Sequence, residues 1–430
     1  MIVVLLVLLC VTLAFFYIIF KRELISPSFV ACAMFIISTF IMWLYRDAWA
    51  VELKLDTIIV IIVGLFAMGI GELIARYVKR KIPYSVPKGK NDFEINPNSI
   101  LVFAGFLFVV ITAIAYYREL LKLSMLSSSS SLFFLTTVRE GKMNEGFQIN
   151  YIVQHMFSIS EVIACIYTYI VLKNRILFEK KEENIIYFLT ILVYAGCTLM
   201  TTGRAKLLNF IIYILVIYLV LYSKKKKWQK TGNIKLVFVA ILSACLFLWL
   251  FYLVGFLTGK SLHYNNFFDN IANYLGSSIY ALNNFLQRKS SMRSEFFGSN
   301  TLSGIFMGLR KLGFDIPETS ISLEYIQCGY VVTNIYTAFR RYIQDFGICG
   351  LIIIQMIIGF IYTKLLLKNK ESNSNGLWAI LLAYFYFPIV MMSIEERFFM
   401  DVVLVRSLYT IIYFMIAYKL FVKKTIKINK

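Results

Sequence analysis

The chain carries no GxxxxGK(S/T) loop and no GxGxxG fingerprint following a strand, so cytoplasmic nucleotide use has no support. Its seven cysteines form no CxxC and keep no Cys/His spacing of the metal-binding kind. Cys10, Cys32, Cys165, Cys197 and Cys245 lie inside apolar runs, where a thiol behaves as a small hydrophobe. Cys328 alone falls clearly outside such runs, and Cys349 sits at the start of one, so neither a disulfide framework nor a metal site is expected. The two histidines, His155 and His263, have no metal-ligand company. No two apolar runs share the matched breaks that mark inverted-repeat transporters. Pro388 is the only proline in mid-run, and it reads as a kink.

Apolar sequence is what the chain has in abundance. It is 59% hydrophobic and 17% aromatic, with a mean hydropathy of +0.73, which does not describe a soluble domain of 430 residues. Eleven runs of 16 to 24 residues stand out: 1–20, 28–44, 57–75, 99–117, 151–172, 185–200, 207–222, 234–257, 345–366, 376–394 and 402–421. A helix rising roughly 1.5 Å per residue needs about that length to cross a hydrocarbon layer of about 30 Å. The expected fold class is therefore all-α: one polytopic membrane domain over residues 1–430, with about eleven transmembrane helices. The first run is too long for a cleaved signal peptide and lacks a charged leader, so it reads as a retained span.

Basic residues set the expected orientation. Clusters at Lys21-Arg22, Arg76 to Lys90, Lys173 to Lys181, Lys224 to Lys235, Lys364 to Lys370 and Lys419 to Lys430 hold 26 of the 44 lysines and arginines, and they occupy every second connection. Such residues are retained on the cytoplasmic side during insertion. An odd number of spans then puts the N terminus outside and the C terminus inside. The net charge of +20 is thus topological and gives no support to nucleic-acid binding.

Two external segments exceed a simple turn. Residues 118–150 contain the serine run Ser127 to Ser131 followed by Phe133-Phe134, which reads as a flexible loop. Residues 258–344 form a far longer loop, and long ordered insertions usually serve function. Its first part is an amphipathic helix. Phe267, Ile271, Tyr274, Leu275, Ile279, Leu282, Phe285 and Leu286 recur at helical steps, with Asp269, Asn270, Asn273, Ser277, Asn283 and Asn284 opposite. Apolar packing explains the stripe, and the amides also suit sugar hydroxyls. Its second part carries Arg288, Lys289, Arg293, Arg310 and Lys311, then Arg340-Arg341 within a few residues of a span. A solvated face accounts for most charge runs. An arginine fork at headgroup depth also suits a phosphate or pyrophosphate.

A short turn, Thr201-Thr-Gly203-Arg204-Ala-Lys206, supplies a matching piece. The glycine permits a tight turn, and the N terminus of the following helix favours an anion beside Arg204 and Lys206; snorkelling into headgroups is the alternative. Three ionisable residues fall within spans: Glu72, near enough to the cytoplasmic end to be a surface residue; Glu161, deep, protonated or paired; and Arg406, within reach of Glu395 or Glu396.

At these residues the chain resembles the O-antigen polymerases, the oligosaccharide repeat unit polymerases related to O-antigen ligases. The resemblance rests on Thr201-Thr-Gly-Arg-Ala-Lys206, on a large external loop after the eighth span, and on Asn334-Ile-Tyr336-Thr with Asp345-Phe-Gly347 and Gly350. It implies a GT-C-like integral-membrane glycosyltransferase in the inner (plasma) membrane, acting on undecaprenyl-pyrophosphate-linked oligosaccharides without any cofactor, with a chain-length regulator protein as a partner. Arg204, Arg340 and Arg341 would serve the pyrophosphates, supported by Lys206 and Arg397, with Asn334 and Tyr336 beside the substrate. Related ligases carry a histidine before the asparagine; Thr333 stands there in this chain, leaving Glu324 and Asp345 as candidate bases. The competing readings are an O-antigen ligase, a lipid-linked oligosaccharide flippase and a structural membrane protein.

Overall fold

Ten of the eleven apolar runs fold as helices in the computed structural model, which describes residues 1–80, 93–125, 134–141, 149–228, 249, 253, 267–288, 294–319, 322–371 and 375–423. The predicted span 234–257, apart from Trp249 and Leu253, lies outside the described residues, as do Ser127 to Ser131, Phe133, His263, Lys289 and Arg293. In chain order the helices are α1 (Ile2–Ile19), α2 (Pro27–Leu44), α3 (Leu55–Arg80), α4 (Ser99–Ser124), α5 (Phe134–Gly141), α6 (Tyr151–Leu177), α7 (Ile185–Met200), α8 (Arg204–Lys225), α9 (Phe267–Gln287), α10 (Ser303–Lys311), α11 (Ala338–Asn369), α12 (Gly376–Tyr384), α13 (Phe387–Met391) and α14 (Val405–Tyr418). Among the described residues eight helices are long and apolar enough to cross a membrane, and the segments Ile185–Met200 and Gly376–Met391 are shorter apolar ones. The protein is an all-α polytopic membrane protein. Among the described residues the departure is a hairpin of β1 (Ile326–Cys328) and β2 (Val331–Thr333), pairing Ile326 with Thr333 and Cys328 with Val331.

The helices α1 and α6 contrast in hydropathy and in burial. α1, at a mean hydropathy of 3.2, is only 28% buried, whereas α6, at 1.5, is 78% buried. A helix with protein on every side can carry Ser, Thr, Tyr and Asn as internal partners, whereas a peripheral one meets only hydrocarbon. α6 accordingly buries Ser158, Ser160, Glu161, Thr168 and Asn174.

Two interruptions of helical order shape the site. α11 breaks at Gly347, whose φ of 67° and ψ of −169° lie where a side chain is strained. The predicted span from 345 thus begins at this break, and Ala338 to Phe346 form a separate short helix ahead of it. The run 376–394 is likewise split, with α12 ending at Tyr384 and Pro388 in the first turn of α13. Proline has no N–H to continue the ladder, which accounts for the kink.

α3 and α11 cross closely because glycines stand at the contact. A Cβ at Gly71 would land on the Met356 carbonyl, and one at Gly359 on the Met68 carbonyl. Gly71→Ala is expected to cost about 1–3 kcal/mol through overpacking, read as a lower melting temperature of the purified protein. Gly196 has open space around its Cβ position, so Gly196→Ala is the control and leaves the melting temperature level or slightly raised.

Segments bearing the basic clusters meet at one end of the bundle. Glu23 receives Arg76 at 2.8 Å and Lys370 at 2.5 Å, Glu94 pairs with Lys180 at 2.7 Å, and Glu179 with Lys225 at 2.7 Å. Glu72, expected at the surface, is instead fully buried here, with Ser26, Ser28 and Arg76 around its carboxylate.

Candidate functional site

The short helix before Gly347 is tied to the loop after α13, because Ala338 N–H donates to the Met392 carbonyl at 3.0 Å. Successive residues on a helix point about 100° apart, so Arg340 and Arg341 diverge. Arg340 turns inward and is 1% exposed. Its guanidinium lies 4.0 Å from the Tyr336 ring centroid and 4.8 Å from that of Phe285, and Nη2 donates to Glu324 at 2.5 Å. Tyr336 donates to the other Glu324 oxygen at 3.3 Å, which makes one ordered unit of Arg340, Glu324 and Tyr336.

Arg341 points the other way, into a cavity of about 340 Å³, and donates to the Asn300 carbonyl at 2.9 Å. That carbonyl is held by Asp345, which accepts from Ser294 Oγ (2.5 Å), Asn300 N (3.1 Å), Asn300 Nδ2 (3.0 Å) and Thr301 N (2.5 Å). Tyr274 of α9, Asn334 and Tyr336 line the same cavity, with Glu395, Glu396, Arg397 and Asp401 opposite.

The loop residues differ sharply in state. Arg397 is held between carboxylates: Nε and Nη2 reach Glu395 Oε1 at 2.8 and 2.5 Å, and Nη1 lies 3.6 Å from Asp401. Although burial pulls the other way, Glu395 and Asp401 raise the Arg397 guanidinium above its ordinary range. Glu396 is 4% exposed, and its Oε1 accepts from Tyr342 Oη at 3.0 Å and Phe399 N at 2.8 Å. Its Oε2 is buried with no hydrogen-bond partner among the described residues. Burial pushes this carboxyl up to about 7, against the pull of the Phe399 N–H, the Tyr342 hydroxyl and Arg341. Between the ordinary carboxylate range and about 7 the folded protein keeps a proton that the unfolded chain gives up. The contribution of Glu396 to stability therefore falls as pH rises through that window.

A second cavity of about 240 Å³ adjoins the first and shares Arg397, Met400, Asp401 and Leu404 with it. Lys206 and Arg406 line it. Lys206 pairs with Glu161 at 2.8 Å, and Arg406 also acts on Glu161 rather than on the expected Glu395 or Glu396. Arg204 stands beside both cavities, behind Tyr274: it is 5% exposed, lies 5.0 Å from the Tyr274 ring centroid and donates to Asn270 Oδ1 at 3.3 Å.

The chain is 27% identical over 223 residues, 52% of this chain and 54% of the relative, to a protein of Shigella dysenteriae called O-antigen polymerase. That likeness agrees with the resemblance read from the sequence. The chain spans about half the length of the curated relative it matches. No family model matches the chain, and no solved structure does.

Of the site residues expected from the sequence, Arg341, Asn334, Tyr336 and Arg397 line one cavity and Lys206 lines its neighbour. Arg204, Arg340 and Glu324 stand behind the first cavity, engaged with Tyr274 and Tyr336. Asp345 holds the 294–301 loop, and Arg397 is already neutralised by two carboxylates. The expected glycine turn is different in detail: Thr202 takes the positive φ, 57°, while Gly203 is extended at φ −100°. The amides of α9 face protein. Asn283 accepts from Lys54 N and Thr57 Oγ1, both at 2.9 Å, and Ser278 donates to the Ser393 carbonyl at 2.6 Å. Sequence reasoning missed Glu396 and the lining role of Tyr274. The available signal was the Glu395-Glu396 doublet in a short turn between apolar runs, read there only as a partner for Arg406.

Proposed function

We propose that this protein is an oligosaccharide repeat unit polymerase, a glycosyltransferase joining undecaprenyl-pyrophosphate-linked oligosaccharides into a surface polysaccharide on the outer face of the inner membrane. A hydroxyl of one lipid-linked repeat displaces the lipid pyrophosphate from the anomeric carbon of the growing chain. Because that leaving group is already activated, no nucleotide or other cofactor is required. The supporting observation is that Arg341, Asn334, Tyr336 and Arg397, drawn from the segments that carry the family likeness and the final external loop, line one cavity with ionisable groups on its opposite wall. Negative charge grows on the departing pyrophosphate, and a fixed guanidinium such as Arg341 stabilises it without reorganisation. Arg204 and Arg340 act as supports: each carries an aromatic ring, Tyr274 or Tyr336, that lines the cavity. A chain-length regulator would act on the assembled enzyme from outside this cavity.

Deleting the gene is expected to collapse the surface-glycan ladder on a gel to a single repeat attached to the core or carrier. Loss of every repeat would instead indicate a flippase or ligase, and an unchanged ladder would exclude the proposal.

A further inference from the structure

We infer that Glu396 is the general base of the polymerisation, accepting through Oε2 the proton of the attacking acceptor hydroxyl; this assignment rests on the polymerase reading above. The carboxylates expected to fill this role are committed elsewhere. Glu324 is bound by Arg340 and Tyr336, and Asp345 is saturated by the 294–301 loop. Within the cavity Glu395 and Asp401 both hold Arg397. Glu396 is the carboxylate left with a buried oxygen that has no hydrogen-bond partner among the described residues, on a residue that lines the cavity.

Its other oxygen is fixed by Tyr342 Oη and Phe399 N–H, so the carboxyl cannot swing away to find solvent. A base works best when its proton affinity matches the working pH, and burial brings this carboxyl up to about 7. The charged and titratable groups facing it are Arg341 and Tyr342 from the short helix and Tyr362 from the longer part of α11. Glu395, Arg397 and Asp401 face it from its own loop. Across the cavity α9 contributes Tyr274 and the 334–337 strand-exit contributes Tyr336.

The acceptor oxygen forms a bond to the donor anomeric carbon while its O–H proton passes to Glu396 Oε2. The bond between that carbon and the pyrophosphate oxygen breaks, and its electron pair leaves with the lipid pyrophosphate, where Arg341 receives the charge. Protonated Glu396 then releases the proton to water and is reset.

The test uses the purified full chain in proteoliposomes with a lipid-pyrophosphate-linked repeat, following chain elongation across pH. Wild type is expected to show an acidic limb near neutrality. Glu396→Gln keeps an oxygen to accept from Tyr342 and Phe399, so it folds, but it should lose about 100-fold or more in rate and lose the limb. Glu396→Asp keeps a displaced limb at reduced rate. Tyr342→Phe removes a bond that favours the carboxylate, so its limb should move to higher pH. A purely structural Glu396 would not shift a pH profile. Wild-type elongation with a Glu396→Gln rate above a tenth and an unchanged profile overturns the base while leaving the polymerase reading intact. An unshifted limb in Tyr342→Phe does the same, should Glu396→Gln fail to fold. Absence of elongation by wild type, with a ladder surviving gene deletion, removes both.

Discussion

Arg341→Ala is expected to lower polymer formation by about 100- to 1000-fold while membrane insertion and yield stay at wild-type levels. The magnitude is that of deleting one fixed donor aimed at charge developing in a transition state. Arg341 occupies the cavity wall on a helix whose start is pinned to Met392, and Asp345 positions the carbonyl on which one Arg341 nitrogen rests. Nothing in that arrangement needs the guanidinium for folding as much as Arg340 is needed beneath Tyr336. Lysine in its place keeps the charge but loses the planar fork that grips two phosphate oxygens, so Arg341→Lys should recover little. There is a second consequence. Arg341 helps hold the Glu396 carboxyl down, so removing it drives that group further above about 7 and moves the acidic limb of any residual activity to higher pH. The contrast is Arg310, whose ion pair with the fully exposed Glu318, at 4.0 Å, is a surface contact of little worth. Arg310→Ala should leave the ladder unchanged. The readouts are surface-glycan gels and elongation in membranes. A full ladder from Arg341→Ala would remove the assignment of this arginine to the pyrophosphate.

The helices were legible because hydrocarbon imposes a simple rule, and ten of the eleven apolar runs have a helix at the expected place. Where the rule bends, the sequence marked it only in part. Pro388 announced its kink through a missing N–H, whereas Gly347 looked like one more glycine near a span until its φ separated the arginine pair from the helix that follows. The site shows the same division. Arg341, Asn334, Tyr336 and Arg397 could be singled out because their chemistry is intrinsic to the side chain. Glu396 could not, because its proton affinity is raised by burial and only partly offset by Tyr342, 54 residues away, and no local pattern records either. The polar face of α9 misled for a related reason: such a face on an amphipathic helix looks the same whether it meets water, sugar or the backbone of Glu52 and Ser393.

Glu72→Ala is expected to destabilise the protein by about 3–5 kcal/mol, the range for breaking a buried pair by removing one partner. Glu72 is fully buried and accepts from Ser26 Oγ at 2.8 and 2.9 Å, Ser28 Oγ at 3.0 Å, Arg76 Nη2 at 2.5 Å and Arg76 Nε at 3.2 Å. Alanine would strand the Ser26 and Ser28 hydroxyls at the start of α2 and leave one face of the Arg76 guanidinium without an acceptor. Arg76 also holds Glu23, which holds Lys370 at the end of α11, so the loss propagates from α3 to the start of α2 and the end of α11. Glu72→Gln should cost less, since its amide oxygen still accepts from Ser26. The measurement is the melting temperature in detergent of Glu72→Ala, Arg76→Ala and the double variant. Coupling predicts that the double variant loses clearly less than the two single losses added, because removing both charges leaves neither unpaired. Strict additivity would mean that Arg76 turns fully to Glu23 and solvent when Glu72 is gone, and that the four charged side chains are independent contacts instead of one network. The outcome matters for the site as well. α11 carries Arg341 at one end and Asn369, next to Lys370, at the other, with α3 packed along it through Gly71 and Gly359. A loosened cluster would therefore reach the cavity through the same helix, lowering activity in step with stability, whereas Arg341→Ala lowers activity alone.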